Sequence, residues 1–253
     1  MQEQRYDFPT EVITLPSEGK CYPENNPLSK GTIEIKYMTA KEEEILASQN
    51  LIKKGVVLDK LFESIIVDKA INPNDILIGD KNAIMLATRI LAYGPNYDVE
   101  IYGSDDEKQA IQIDLAKVKT KDINTSLLRA DNRYTFTTPN GYKLVVKLLT
   151  HGDEQKIDQE IKALSKLNKS GVSAELTTRY RHIILEVDGK TDTKSIVDFI
   201  NYKFVTKDTR ALREFIKTIN PDIAMEYEYE DPETGEKEVR PIPMGVGFFY
   251  PSI

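Results

Sequence analysis

Acid–base or nucleophilic chemistry needs a positioned imidazole, thiolate or carboxylate pair, and the sequence offers few. There are two histidines, His151 and His182, and one cysteine, Cys21. A Ser–His–Asp or Cys–His arrangement requires one of these histidines beside a nucleophile. His182 adjoins Ile183 and Ile184, which suits a structural residue. His151 opens a helical pattern next to Gly152 and Asp153, where a polar role in the first turn suffices. Cys21 lies in a proline-rich loop with no histidine near it in sequence. Gly245-Val246-Gly247 is followed by aromatic residues, not a helix, and so fails the context of a dinucleotide loop. The run Asp188–Asp192 lacks the ligand ladder of a calcium loop and reads as a turn between helices. Glu42, Glu43 and Glu44 fall at a helix start, where anions favour the macrodipole, so they read as a capping run. The chain is therefore not expected to be an enzyme, nor to hold a metal or cofactor.

The elements that must position these residues alternate between short strands and amphipathic helices. Thr32–Tyr37 alternates as a strand. Thr39 with Glu42 forms a capping box that starts a helix running to Lys54 and ending at Gly55. Leu58, Leu61, Phe62, Ile65 and Ile66 mark a second helix, and Asp80 caps a third bearing Ile84, Ala87 and Leu91. Asp98–Tyr102 and Ala110–Asp114 make a hairpin around a polar turn. Residues 116–133 read as a linker with a helical turn. The second half repeats the theme: strands around Thr137–Lys143, then helices over about 152–168, 173–187, 193–203 and 208–219. The segment His182–Val187 is readable as helix or strand. A last hairpin, Ala224–Glu230 with Lys237–Pro243, precedes the apolar tail from Gly245.

The two halves match in order. Lys36, Thr39 and Glu43 fall on Lys147, Thr150 and Glu154 at one offset; Asp80–Ile90 resembles Asp208–Ile216; Pro95-Asn96 and Pro221-Asp222 each lead into a hairpin. The sequence thus predicts an α+β fold of two diverged copies of a strand–helices–β-hairpin module packed together. Residues 1–115 form the first copy with its N-terminal loop, 116–133 the linker, and 134–253 the second copy with its tail.

Composition narrows the function. The chain has 253 residues, 34 Lys and Arg against 41 Asp and Glu, and a net charge of −7. That balance argues against a general nucleic-acid binder and against a polybasic membrane anchor. No apolar run reaches the length of a membrane span, and no signal pattern opens the sequence. A lone cysteine fits a reducing cytoplasm.

The loop Ile13–Pro23, the segment Met38–Gly55, Ile65–Lys69, Gly79–Gly94, Asp208–Ile223 and the closing Pro241–Pro251 together resemble the baseplate hub protein family of T-even-like contractile-tailed bacteriophages. The resemblance spans nearly the whole chain. It implies a structural component of the tail baseplate hub or, alternatively, a transient assembly chaperone absent from the mature virion. It implies other baseplate or tail proteins as partners, copies multiplied by tail symmetry, and location in the virion after assembly in the host cytoplasm. Relatives resemble a zinc-ribbon clamp with cysteine pairs in the hairpins. Here Tyr102, Gly103, Ser104, Tyr229 and Glu230 stand there instead, so no metal is expected. The two apolar ends, with Leu15, Pro16 and Tyr22 in the loop and Phe248, Phe249 and Tyr250 in the tail, require cover in this chain or in a partner. At least one is expected to dock on a neighbouring tail protein with its aromatics as anchors.

Overall fold

A computed structural model describes residues 9–102, 108–167, 173–230, 235, 237–242 and 246–249. Tyr250 and the turn residues 103–107 lie outside the described residues. The chain is a mixed α+β fold with small antiparallel sheets.

In the first half, β1 (Thr10–Thr14) pairs with β2 (Thr32–Lys36), with Ile13 opposite Ile33. Alternation sends Ile33 and Ile35 inward, 1% and 0% exposed, while Thr32 and Glu34 face out. Ile66 extends this sheet through an antiparallel bridge to Ile35. The connecting loop folds back tightly: Gly19 has φ of 76°, and a Cβ there would lie 2.3 Å from the Ser29 carbonyl oxygen. Only glycine fits that approach.

Three helices follow. The expected single helix up to Gly55 is two, α1 (Ala40–Ala47) and α2 (Gln49–Lys54), broken where Ser48 adopts extended backbone. Serine competes with the helical backbone for hydrogen bonds and so favours such boundaries. Gly55 ends α2 in the left-handed region, φ 73°. Helix α3 (Val57–Ile65) buries Leu61, Phe62 and Ile65 completely. Each such side chain contributes about 2 kcal/mol by burial. Helix α4 (Ile78–Tyr93) leads into the hairpin β3 (Asn96–Tyr102) and β4 (Lys108–Asp114).

The second half also runs from a small sheet through helices to a hairpin, with a third strand in its sheet. β5 (Tyr134–Thr137), β6 (Lys143–Val146) and β7 (Ile184–Val187) form a three-stranded sheet. Helices α5 (His151–Leu167) and α6 (Glu175–Ile183) connect β6 to β7. The segment that reads either way is both: α6 ends at Ile183, and the β-branched residues after it join the sheet. Helices α7 (Thr193–Tyr202) and α8 (Thr206–Ile219) precede the hairpin β8 (Glu226–Glu230) and β9 (Lys237–Pro241).

Residues 116–133 are more than a tether. Thr120 bridges to Ile223, the Lys121 amide donates to the Asp222 carbonyl at 2.8 Å, and Leu128 is buried. One hydrophobic core runs through both halves.

Candidate functional site

The polar interior consists of buried carboxylates that fasten elements together. The first is Glu42, in the first turn of α1. Its carboxylate accepts from the Thr39 amide at 2.8 Å, the Thr39 hydroxyl at 2.6 Å, Ser64 Oγ at 2.5 Å and Lys36 Nζ at 2.8 Å. Burial raises its pKa, but the bonds from Lys36, Ser64 and Thr39 outweigh burial and hold it at about 2. Asp153 repeats the arrangement in α5. It accepts from Lys147 Nζ at 2.7 Å and from the Thr150 amide at 3.1 Å. Burial opposes those bonds there too, and its pKa is again lowered.

Asp80 and Asp208 form the second pair. Asp80 does not cap α4 as the sequence suggested; it sits third in that helix, fully buried. It accepts from the Ser17 amide at 2.9 Å, the Ser17 hydroxyl at 2.7 Å and the Tyr22 hydroxyl at 2.6 Å. Burial dominates and raises its pKa. Asp208, third in α8 and also fully buried, accepts from the Asn140 amide at 3.1 Å and Asn140 Nδ2 at 2.9 Å. Ser17 and Asn140 each follow a proline in the turn preceding a strand.

Polar contacts also close the seam between the halves. The Ile78 amide donates to the Leu149 carbonyl at 3.1 Å, and the His151 amide to the Ile76 carbonyl at 2.8 Å. Lys81 pairs with Glu154, and Asn82 Nδ2 donates to Asp222 at 3.0 Å. His151 Nε2 lies 2.5 Å from Asp59 Oδ1, and its ring meets Phe62 edge-on at 5.5 Å. Gln155 also donates to Asp59. Gly79 and Gly152 permit the close approach: a Cβ on Gly79 would sit 1.7 Å from the Pro221 oxygen.

In the His151–Asp59 pair the histidine is buried and the aspartate half-buried, His151 Nδ1 has no hydrogen-bond partner among the described residues, and no hydroxyl or thiol nucleophile among them is hydrogen-bonded to the ring. His182 pairs with Glu160 at 3.0 Å, which Arg181 also contacts at 3.2 Å. Cys21 is buried, and its thiol is pushed up to about 11, so little thiolate exists near neutrality. Among the described residues no group of three or more His, Cys, Asp or Glu is placed to hold a metal. A cleft of about 520 Å³ lies between the two hairpins, lined by Gln112, Asp114, Lys117, Glu226 and Tyr227, and it gathers no nucleophile–base pair. No described helix is long and apolar enough to cross a membrane.

The residues expected to bind a partner lie inside the chain's own core. Leu15 is 1% exposed, Tyr22 5%, Phe248 0% and Phe249 4%, and Pro16 is buried. Tyr22 is occupied by Asp80 and by the Leu77 amide, which donates to its hydroxyl at 2.9 Å. Phe248 meets Tyr97 edge-on at 5.3 Å, and buried Arg89 lies over Tyr97 and Tyr93. A partner would reach these five residues only if the core opened. Their apolar character was legible, but which surface covers them depends on contacts made about 60 or more residues away, which no local pattern encodes.

Searches of curated proteins and of solved structures found no match. The model of one family, described as T4 bacteriophage base plate protein, matches residues 9–249. With nearly the whole chain covered by that match, this protein belongs to the T4 bacteriophage base plate protein family.

Proposed function

We propose that the chain is a structural component of the tail baseplate hub, acting through contacts with other baseplate or tail proteins and not through catalysis. The family match over residues 9–249 supports the baseplate role, and the hub assignment rests on the resemblance of the loop Ile13–Pro23 and the other matched segments. The interior supports the structural reading, because the buried carboxylates Glu42, Asp80, Asp153 and Asp208 are engaged in joining elements. The reading includes a duplication. Two features support it that share no residues: the Lys–Thr–acid knots at Lys36, Thr39, Glu42 and Lys147, Thr150, Asp153, and the clamps Ser17–Asp80 and Asn140–Asp208. Quantitative mass spectrometry of purified particles tests the role. The structural reading requires the chain at fixed stoichiometry with other baseplate proteins. Its absence from finished particles, with presence in assembly intermediates, would make it an assembly chaperone instead.

A further inference from the structure

The seam between the halves is not symmetric. The front of the first half, comprising Asp59, Asn74, Ile76–Ile78 and Lys81, meets the start of α5 in the second. If the halves are copies, each also has an unused counterpart. Aligning Asp80 with Asp208 places Asn74 on Tyr202, Leu77 on Val205 and Ile78 on Thr206. Aligning Glu42 with Asp153 places Leu149–His151 on Met38–Ala40, and Glu154 on Glu43.

The counterpart positions carry part of what such a seam needs, although Lys207 and Lys41 stand where Gly79 and Gly152 do, and Thr209 where Lys81 does. Tyr202 is 80% exposed, the most of any large apolar side chain among the described residues, and Val205 is 49% exposed. Leu77, the counterpart of Val205, is 2% exposed because the second half covers it. The Ile78 amide and Ile76 carbonyl bond across the seam, whereas their counterparts, the Thr206 amide and Phe204 carbonyl, have no hydrogen-bond partner among the described residues. The same holds for the Ala40 amide and Met38 carbonyl on the opposite face. Charges are largely complementary: Lys203, Lys207 and Arg210 are exposed around Val205, and Glu43 and Glu44 are exposed at the start of α1 beside one exposed cation, Lys41. The His151–Asp59 pair is not repeated, since Ala40 stands at the place of His151.

We propose that this chain associates head to tail with further copies of itself, the Met38–Glu44 segment of one molecule docking on the Tyr202–Arg210 face of the next. The contact uses the same two faces as the internal seam at a wider approach, because lysines replace its glycines, with an apolar centre at Val205 and Tyr202 and with Glu43 facing Arg210, the neighbour of the Lys81 counterpart Thr209. It rests on the duplication, not on residence in the virion. Such a contact joins two different surfaces, so successive copies build a ring or a filament and not a twofold dimer.

Sedimentation velocity of the full chain across about 1 μM to 1 mM tests this, a range that covers weak to moderate affinities. The average mass should rise with concentration. Arg210→Glu and Glu43→Arg should each shift the midpoint by about tenfold or more while keeping the wild-type melting curve, because like charges then face each other. An equimolar mixture of the two variants should associate again, since each altered face then meets an opposite charge on the other molecule. A monomer at every concentration, self-association indifferent to both variants, or a mixture no better than either variant alone would overturn the proposal. A stoichiometric virion protein that remains monomeric would overturn it while leaving the baseplate role intact.

Discussion

Glu42 offers a prediction whose size follows from its surroundings. Its side chain is fully buried, and its pKa stands at about 2 against an ordinary 4.5. A depression of that size corresponds to about 3 kcal/mol of folding stability. Because the folded pKa is depressed, that stability is fully present above 4.5 and is lost as pH falls through 4.5 toward 2. Glu42→Gln keeps the shape but removes the charge that Lys36 needs, and turns an amide donor toward Lys36 or Ser64. It should cost about 3 kcal/mol near pH 7, and the cost should shrink toward zero near about pH 2. The assay is urea unfolding of both proteins at a series of pH values. Other carboxylates, Asp153 among them, cancel in the difference. A cost that stays constant with pH, or one below about 1 kcal/mol at neutrality, would refute the reasoning.

Two further substitutions probe the seam and the tail. Gly79→Ala places a Cβ against the Pro221 carbonyl, which is backbone and cannot swing aside. Thermal melting should show a loss of about 3 kcal/mol or more, whereas Gly141→Ala, with open space around it, should show only the smaller strain of its positive φ. Phe248→Ala empties a fully buried site beside Tyr97 and Phe249 and should cost about 3–5 kcal/mol in chemical unfolding. Truncation after Gly247 should likewise weaken the cooperative transition; an unchanged transition would return the tail to the role of a partner anchor.

Much of the architecture was legible because it is local. The capping pair Thr39 and Glu42, the turn prolines and the alternating strands each carry their signal within a few residues. What escaped was long-range. Glu42 was read as a solvated capping residue, yet it also takes Ser64, 22 residues away. Asp80 was read as a helix cap, yet its ligands Ser17 and Tyr22 are 63 and 58 residues distant. A usable signal did exist: the match of Lys36 and Thr39 to Lys147 and Thr150 marked the residues that became the paired knots. Their acids fall at the same offset, one place before the matched glutamates. The residues 116–133 read as a linker because their pairing edge, Ile223, lies about a hundred residues onward.

Glu42 and Asp80 are both fully buried acids on helix first turns, yet their protons move in opposite directions. The difference is the charge of the donors. Glu42 has Lys36, whose ammonium offsets the cost of burying an anion. Asp80 has only the neutral Ser17 and Tyr22 donors, while Asp222 adds a repulsive charge. Neutral hydrogen bonds satisfy the carboxylate's lone pairs and fix the register of loop against helix, but they return less of the desolvation energy than a cation does. Acidification should therefore weaken the strand–helix knots around Glu42 and Asp153 while relieving the clamp at Asp80. The α1 and α5 starts would loosen first, and α5 carries the seam residues His151 and Glu154. Separation of the halves should accordingly precede loss of the loop clamp as pH falls. Amide exchange at Ile78 and His151, compared with Ser17, would read that order, and protection lost first at Ser17 would contradict it.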